Sequence, residues 1–589
     1  MTYRAPVRDM AFLLNEVVGL KSLMGQGAFA DISPDLVEAV LEEGAKLASD
    51  VLAPLNQSGD KEGVTLEAYG VKTARGFSAA YRQWVAGGWG SVAASVDHGG
   101  QGLPLAVATA AQEMWNAANM AFGLCPILSQ GAVEAIAAHG TDEQKKLYLP
   151  KLVSGEWTGT MNLTEPQAGS DLNALKAKAV PQGDGTYKIT GTKIFITYGD
   201  HDMADNIVHL VLARLPDAPA GTKGISLFLV PKFLVNADGS LGPRNDAKCT
   251  GLEHKIGIHA SPTCVMAFGD DGGAIGTLIG AENRGLACMF TMMNNARLLV
   301  GTQGVAIAER AYQHALAFAQ ERKQGRPTGS TLPPGEMAPI IVHPDVRRNL
   351  MLMKSLTHAA RAICYANAVA IDTAHHGADD ATRAAGQARA DLLTPIAKSF
   401  STDIGCEVAS VGVQIHGGMG FIEETGAGQY YRDARILPIY EGTNGIQAID
   451  LVTRKLPLAN GDVARTFINE MKDTAAEAHA SNNADMIAVG SALDAALKAL
   501  DDATAYMLAN LKSAPDDCLA GATPYARLFG TCAGGHFLAR AALAKAEGAA
   551  PRISLARFYA DQVLPASLGL AGPATAGAKA LYALNVDAL

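Results

Sequence analysis

The spacing of apolar residues changes twice along the chain. From residue 1 to about 160 apolar residues recur every three to four positions, as in ISPDLVEAVLEEGAKLASDVLAPL, which predicts amphipathic helices. Ser33 followed by Pro34 predicts the start of one of these helices. Between about 161 and 282 the spacing becomes two, in TYKITGTKIFITY, NIVHLVLARL, GISLFLVPKFLV and TCVMAFG. These segments predict strands with short turns and no helix between them, so a compact antiparallel sheet or barrel is expected.

From about residue 283 the helical spacing returns and continues to the end. One helix is predicted to run toward Arg322, and further helices are predicted at about 346–377, 380–411 and 446–457. The last stretch, 459–589, is rich in alanine and carries an apolar stripe at Leu493, Leu497, Leu500, Met507 and Leu511. It is predicted to be an added helical unit that packs on the rest.

Composition narrows the possible classes of protein. The 589 residues are 48% hydrophobic and 18% charged, which predicts several packed units and argues against intrinsic disorder. The net charge is −10, and 459–589 holds 10 Lys and Arg against 13 Asp and Glu, so nucleic-acid binding is disfavoured. No apolar stretch is judged to approach the roughly 18 residues of a membrane span, and MTYRAPVRDM is unlike a signal peptide. A soluble, cytoplasmic protein is expected.

The eight cysteines lie far apart, with no C-x-x-C pair and no Cys/His cluster at the spacing of zinc ligands. No metal site is predicted. Most of the cysteines are expected to be small buried side chains.

The segment QIHGGMGFIEETGAGQYYRDARILPIYEGTNGIQAIDLVTRKL, from Gln414 to Leu456, carries the clearest candidate for chemistry. Glu441 follows the apolar ILPIY, and Gly442 permits close approach of the backbone to a ligand, so a raised pKa and a role as general base are expected. The local sequence also allows a simpler interpretation, in which Glu441 begins a helix capped by Thr443 or Asn444. Neighbouring segments decide between the two.

Those segments are MNLTEPQAGSD, KIFITYG, EHKIGIHASPT, MMNNARLLVGTQGVA, ERKQG, QIHGGMG and YRDARILPIYEGTN. In this order they resemble the acyl-CoA dehydrogenases over roughly 35–456. The resemblance implies an α+β, mostly α fold: an N-terminal helical domain at 1–160, a middle antiparallel β-barrel domain at 161–282, a C-terminal four-helix bundle at 283–458, and here an extra helical extension at 459–589. YRAPVRDMAFLLNEV and the extension resemble a bacterial subgroup that acts on 3-methylmercaptopropionyl-CoA.

The resemblance implies FAD as cofactor and Glu441 as the base that removes the α-proton of an acyl-CoA thioester. The β-hydrogen leaves as hydride to flavin N5, and a trans-2-enoyl-CoA is formed. The enolate oxygen needs fixed hydrogen-bond donors, each worth about 3 to 4 kcal/mol. By resemblance one donor is the backbone N–H of Glu441 and the other is a hydroxyl of FAD.

Other residues are implied to bind cofactor or substrate. Leu163, Thr164 and Ser170 match residues that hold the flavin, although TEPQAGSD alone could be a simple turn. Phe195 stands where many relatives have Trp at the flavin, and Thr197 matches a contact near N5.

By resemblance Arg322 matches an arginine that reaches the FAD pyrophosphate of the neighbouring subunit, and Gln414, Gly417 and Gly418 match contacts to the adenosine half of FAD. Locally they could equally be a solvated arginine and a turn between helices. Thr443 matches a flavin contact. The substrate-binding set is Ser170, Asn294, Arg297 and Gly442, whereas His416 is expected to be structural.

The implied partners are an acyl-CoA substrate, electron-transfer flavoprotein as electron acceptor, and a second copy of the chain in a homo-oligomer, expected to be a dimer. The implied substrate is 3-methylmercaptopropionyl-CoA or a short to medium straight-chain acyl-CoA. Three alternatives stay open: an acyl-CoA oxidase with the same base, a DNA-associated flavoprotein on the same fold, and a scaffold without catalysis. The acidic extension argues against the second, and the presence of Glu441 argues against the third.

Overall fold

The computed structural model describes residues 3–588. Residues 1, 2 and 589, at the outer ends of the first and last predicted units, lie outside this range. The N-terminal part is helical as predicted, with one unpredicted β-hairpin: α1 (Val7–Phe12), α2 (Pro34–Lys46), α3 (Pro54–Glu62), β1 (Thr65–Glu67), β2 (Gly70–Lys72), α4 (Phe77–Ala86), α5 (Leu105–Ala118), α6 (Met120–His139) and α7 (Asp142–Ser154). Ser33 caps α2 by accepting a hydrogen bond from the Leu36 N–H at 3.2 Å, and Pro34 is the first helical residue. The predicted helix start is therefore confirmed.

The middle part is a β-sheet domain with ten strands: β3 (Trp157–Asn162), β4 (Lys178–Pro181), β5 (Thr186–Thr197), β6 (Asn206–Arg214), β7 (Ile225–Pro231), β8 (Phe233–Val235), β9 (Leu241–Arg244), β10 (Ala247–Leu252), β11 (Thr263–Phe268) and β12 (Ala274–Ile279). The main sheet has the order β10-β11-β5-β12-β7-β6-β3, and β4 joins β5 to β6, which closes a barrel. Two pairings, β3 with β6 and β4 with β6, are parallel, so the antiparallel prediction is wrong there.

The third part is a bundle of three long helices, α8 (Gly285–Glu321), α9 (Pro344–His376) and α10 (Asp380–His416), with the shorter α11 (Ala427–Ala434) and α12 (Asn444–Asp450) packed against α10. The long helices fall where the sequence predicts them, and α10 extends five residues past the predicted end at 411. A π-helical turn, Leu451–Lys455, continues α12. Helices α8 and α10 pack against each other, and both carry residues of the candidate site.

The extension consists of α13 (Asp462–Ala480), α14 (Ala484–Asn510), α15 (Pro515–Ala520), α16 (Ala522–Leu543), α17 (Ala549–Gln562) and α18 (Pro565–Thr575). Helix α16 packs against α9, α10 and α12. Gly530 makes this approach possible, because a Cβ there would lie 2.5 Å from the Phe400 ring of α10. Phe529 and Ile404 belong to one continuous hydrophobic core, so the extension is fused to the bundle.

A buried ionic network joins the N-terminal helices to the bundle. The Arg361 guanidinium of α9 donates to the Glu113 carboxylate of α5 at 2.7 Å and to the Glu309 carboxylate of α8 at 2.7 Å. The Tyr365 hydroxyl also donates to Glu113 at 2.7 Å. Because breaking one partner of such a network leaves a buried charge unpaired, it fixes how the three helices fit together.

One stretch is longer and more apolar than the sequence analysis expected. Among residues 3–588, α6 is the helix with the length and composition of a membrane span, with 20 residues and a mean hydropathy of 1.4. Of its most apolar window, 78% is buried inside the protein. Such burial is typical of the core helix of a globular protein.

Candidate active site

Glu441 lies in the short segment between α11 and α12. The Thr443 hydroxyl caps α12 by accepting a hydrogen bond from the Ile446 N–H at 3.3 Å, so Glu441 stands before the helix. The simpler interpretation of Glu441 as a helix residue is therefore wrong, although its capping residue is correct. Glu441 has a φ of +55° and Gly442 a φ of +84°, and these left-handed conformations turn the chain sharply at the carboxylate.

Three polar side chains hold this turn. The Gln447 amide donates to the carbonyl oxygens of Glu441 at 3.4 Å and Gly442 at 3.3 Å. A Cβ at position 442 would lie 2.6 Å from the Gln447 nitrogen, so the turn requires glycine. On the other side, the Tyr440 hydroxyl donates to Gln303 of α8, whose amide donates to Asn116 of α5 at 3.0 Å.

Burial raises the pKa of the Glu441 carboxyl to about 7, and the positive charges of Arg297 and Lys398 oppose this rise. Arg297 is buried on α8, where its guanidinium donates to Asn294 at 3.4 Å and lies 3.9 Å from the Asp450 carboxylate. The predicted rise in pKa is thus found, together with its cause. A carboxylate with this pKa can accept a proton at neutral pH.

A second group of predicted residues lies at the edge of the β-domain. The loop 163–170 follows β3, and its Thr164 carbonyl accepts a hydrogen bond from the Ile194 N–H of β5 at 2.9 Å. Phe195 and Thr197 lie at the end of the same strand, and Thr197 pairs with Thr263 of β11. Phe195 has a φ of +60° and is 58% exposed, so its aromatic ring is open for contact.

The loop 163–170 is held by a buried ion pair that the sequence analysis missed. The Lys193 ammonium of β5 donates to the Glu165 carboxylate at 2.8 Å and to the Leu163 carbonyl at 3.0 Å. Glu165 also accepts from the backbone N–H groups of Lys176 at 2.7 Å and Ala177 at 3.0 Å. Burial lowers the pKa of Lys193 to about 8, although Glu165 opposes this change.

A third group lies where α8 and α10 end. Arg322 follows α8 and is exposed, as are Gln414 on the last turn of α10 and Gly417 and Gly418 beyond it. His416 joins the two ends, because its ring lies 4.5 Å from the Phe318 ring of α8. Its Nδ1 lies 2.7 Å from the Gly412 carbonyl, which agrees with the structural role expected for it.

The third group is far from the base within one chain. Arg297 and Arg322 are 25 residues apart on and just after α8, which corresponds to roughly 38 Å along the helix axis. Asn294, Arg297, Glu441, Gly442 and Thr443 are brought together, whereas Arg322, Gln414, Gly417 and Gly418 form a separate surface.

The residues present fit an FAD molecule. Beside Gly417 and Gly418 a Cβ would meet no atom within 4 Å, so both glycines leave open space for a ligand. The exposed Arg322 guanidinium suits a diphosphate, and the exposed Phe195 ring suits a planar flavin. The described residues 3–588 contain no cluster of three or more His, Cys, Asp or Glu side chains placed to hold a metal ion.

Sequence reasoning missed the polar supports of the site: Glu165, Lys193, Gln303, Lys398 and Gln447. A signal existed for two of them. Lys193 occupies a position on β5 whose neighbour on the same face, Ile189, is buried, and Lys398 interrupts the apolar stretch LLTPIAKSF of α10. A charged residue at a core position indicates a buried ion pair or hydrogen bond.

Known protein families match nearly the whole chain. The acyl-CoA dehydrogenase N-terminal domain matches residues 38–156, the middle domain 160–270 and the C-terminal domain 283–456. The extension matches the family described as acetyl-CoA dehydrogenase C-terminal like, over 467–585.

Individual relatives of the chain are also acyl-CoA dehydrogenases. The chain is 48% identical over 580 residues to 3-methylmercaptopropionyl-CoA dehydrogenase of Ruegeria pomeroyi, covering 96% of each protein. It is 38% identical over 467 residues to a broad-specificity linear acyl-CoA dehydrogenase of Mycobacterium tuberculosis, covering 77% of this chain and 75% of that one.

Solved structures share the fold. Caenorhabditis elegans ACDH-11 in complex with C11-CoA has a TM-score of 0.77 at 20% identity, covering 96% of this chain and 92% of that one. An acyl-CoA dehydrogenase from Bacillus anthracis complexed with FAD has a TM-score of 0.75 at 20% identity, covering 98% and 92%. The chain therefore belongs to the acyl-CoA dehydrogenase family, and it is an FAD-dependent enzyme that dehydrogenates an acyl-CoA thioester.

Proposed function

We propose that the protein oxidises 3-methylmercaptopropionyl-CoA to the corresponding trans-2-enoyl-CoA, with Glu441 as the base. The observation that carries the choice of substrate is the 48% identity, over 96% of both chains, to a dehydrogenase named for it. A short to medium straight-chain acyl-CoA is the second candidate, because a relative with 38% identity is a broad-specificity linear acyl-CoA dehydrogenase.

The residues around Glu441 explain how the α-proton would be removed. The Glu441 carboxylate takes the proton, and Arg297 and Lys398 favour its ionised form beforehand. Among the described residues the Glu441 backbone N–H has no acceptor, so it is available to donate to the thioester oxygen as negative charge develops there. One such donor is worth about 3 to 4 kcal/mol in the transition state. FAD supplies, when bound, the acceptor at N5 for the β-hydrogen that leaves as hydride.

The separation of the two FAD-binding surfaces supports a homodimer. Arg322, Gln414, Gly417 and Gly418 form an exposed surface at the ends of α8 and α10, and Arg322 lies roughly 38 Å along α8 from Arg297 of its own chain. In a dimer they would bind the pyrophosphate and adenosine of the partner's FAD. The extension covers faces of α9 and α10 that would otherwise be available for further assembly, which favours a dimer over a tetramer.

Electron-transfer flavoprotein is the proposed acceptor of the electrons, since the family context includes it. The cytoplasmic location stays a prediction, which fractionation of cells that express the tagged protein would test. Oxygen as acceptor is the competing possibility, and reduced enzyme exposed to air distinguishes the two through the rate of peroxide formation.

The proposal is tested by anaerobic titration of the purified protein with 3-methylmercaptopropionyl-CoA and a series of straight-chain acyl-CoA thioesters, while flavin absorbance is followed. Bleaching is expected with the thioether substrate at the highest kcat/KM. Glu441→Gln should bind FAD normally and show no bleaching, because its amide cannot accept the α-proton.

Flavin that no thioester reduces would contradict the assignment of the reaction. Reduction by straight chains alone would transfer the assignment to the second substrate class. Full reduction of Glu441→Gln would show that another residue is the base.

A further inference from the structure

Lys398 is a buried cation close to the base segment. It lies in the middle of α10, its side chain is fully buried, and its ammonium donates to the Asn444 side-chain oxygen at 2.9 Å. An ammonium group out of water is costly unless negative charge and hydrogen bonds surround it. Its position therefore requires a compensating charge nearby.

Asn444 connects Lys398 to the base segment. It is the first residue of α12 and lies three residues after Glu441. Its amide nitrogen donates to the Asp403 carboxylate at 2.7 Å, the Thr402 hydroxyl at 2.9 Å and the Ser399 carbonyl at 3.1 Å. With the bond from Lys398, these contacts fix the end of the Glu441 turn to one face of α10.

The compensating charge for Lys398 comes from two carboxylates, Glu441 and Asp403. Burial lowers the pKa of Lys398 to about 7, whereas Glu441 and then Asp403 raise it. Lys398 in turn lowers the pKa of Glu441, after Arg297. The positive charges of two buried side chains on different helices, Arg297 and Lys398, thus act on one carboxylate.

The other charged groups around this cluster are accounted for. Arg297 of α8 faces Asp450 of α12, and Arg454 faces the same Asp450 carboxylate. Cys406 of α10 also faces Lys398. From the extension, Arg527 of α16 pairs with Glu407 at 2.8 Å, and both act on Asp403.

We propose that Lys398 is a positioning residue for the Glu441 base: its hydrogen bond to Asn444 anchors the base segment to α10 and brings a second buried positive charge to that segment. This inference rests on the proposed role of Glu441. Arg297 belongs to α8 and Lys398 to α10, so the base segment is flanked by positive charges from two helices of the bundle.

The sign of the effect follows from the charges. Removing a positive neighbour raises the pKa of a carboxyl group, so a larger fraction of Glu441 is protonated at a given pH and cannot accept the α-proton. Activity should therefore fall on the acid side of the pH profile and recover at alkaline pH. A purely structural role for Lys398 would lower the rate equally at every pH.

The experiment measures the rate of flavin reduction by substrate in anaerobic stopped-flow, from acid to alkaline pH, for the dimeric FAD-loaded enzyme. Lys398→Met should move the acid midpoint up by about one pH unit and lower the rate near neutral pH about fivefold, approaching tenfold at acid pH. Lys398→Arg keeps the charge, and its midpoint should match that of the wild type. Lys455→Met is the matched control, because it removes another lysine of the bundle, paired with Asp391 at 2.7 Å.

A second measurement does not depend on turnover. Infrared difference spectra of the unreduced enzyme, with Glu441→Gln as reference, follow the carbonyl band of the protonated carboxyl as pH changes. Lys398→Gln removes the charge and can still donate an amide hydrogen to the Asn444 oxygen, so it should move the band's midpoint upward even if Lys398→Met fails to fold.

An unmoved midpoint in both Lys398→Met and Lys398→Gln would overturn the proposal, as would an equal shift in Lys455→Met. The result for Glu441→Gln separates the two levels of inference. If Glu441→Gln still reduces its flavin, the proposed base is wrong. If it is inactive and the midpoints do not move, only the role of Lys398 fails.

Discussion

The two halves of the FAD and substrate site are built in opposite ways. The inner half comprises the Glu441–Asn444 segment and the loop 163–170, and both are held by buried charged or amide side chains, such as Lys193 and Lys398. The outer half comprises Arg322, Gln414, Gly417 and Gly418, all of them exposed at the ends of two long helices. The inner half is formed by residues of one chain, whereas the outer half lies on the exposed surface of that chain.

The two halves therefore affect different properties of the enzyme. In the inner half, burial changes the acidity of the reacting group, and the supporting charges belong to the folded core, so substitution there costs stability as well as activity. In the outer half the groups are in water, and substitution should change only the affinity for FAD.

The largest effect is expected from Lys193→Met in the inner half. The change leaves the Glu165 carboxylate buried without its cation, which costs about 3 to 5 kcal/mol of unfolding free energy. The loop 163–170 loses the anchor at the Leu163 carbonyl as well, so bound FAD should be largely lost on purification. Urea unfolding followed by circular dichroism, together with the ratio of flavin to protein absorbance, measures both.

The double variant Lys193→Met with Glu165→Leu is the control, because it removes both charges. It should recover a large part of the lost stability, since replacing a buried ion pair by apolar residues is often close to neutral. A single variant with the stability and FAD content of the wild type would show that the ion pair does not hold the loop.

Much of the fold could be predicted from periodicity, because each unit keeps one spacing over many residues. The Ser33 and Pro34 start, the three long helices and the strands of the β-domain follow from local patterns. The β1–β2 hairpin was not predictable, since its strands have three residues each and β1 is exposed throughout. The parallel pairing of β3 with β6 depends on contacts between distant segments, which a local pattern does not contain.

The candidate site was predictable only in part, for a similar reason. Motifs identified Glu441, Phe195 and Arg322, but not which of them lie together. The supports Lys398 and Lys193 act through tertiary contacts, to Asn444 and Glu165, with partners 46 and 28 residues away in sequence. For both Lys398 and Lys193 the sequence shows a charged residue at a core position, and the same pattern can be searched for in related chains.

An intermediate effect is expected from Arg322→Ala in the outer half. Loss of charge-assisted hydrogen bonds to a diphosphate costs about 1.5 to 3 kcal/mol, so the dissociation constant for FAD should rise roughly 10- to 100-fold while the stability of the apoprotein is unchanged. Calorimetric titration of apoprotein with FAD measures this. Arg326→Ala removes another exposed arginine, one that bonds the Pro333 carbonyl at 3.1 Å, and should bind FAD normally.

Mixed dimers sharpen the same prediction. If Arg322 serves the partner's flavin, a dimer of one Arg322→Ala chain and one Glu441→Gln chain contains one complete site and one with both defects. Such a preparation should regain activity with the wild-type affinity for FAD. No recovery of activity would place Arg322 and Glu441 in the same site and contradict the shared arrangement.

The smallest effect is expected from Phe195→Trp, at the edge of the inner half. Phe195 is 58% exposed at a φ of +60°, so a larger ring fits without repacking, and the backbone strain is the same for both aromatic residues. The added indole N–H can donate one hydrogen bond, and the rate of flavin reduction should change by less than about threefold, which corresponds to under 1 kcal/mol.

Phe195→Ala is the matched comparison, because it removes the aromatic face and should weaken FAD binding more than the change to Trp does. Quenching of free FAD fluorescence on binding to apoprotein measures the two affinities side by side. If the alanine variant binds FAD as tightly as the tryptophan variant, the exposed ring does not contact the flavin, and the inner half ends at the loop 163–170.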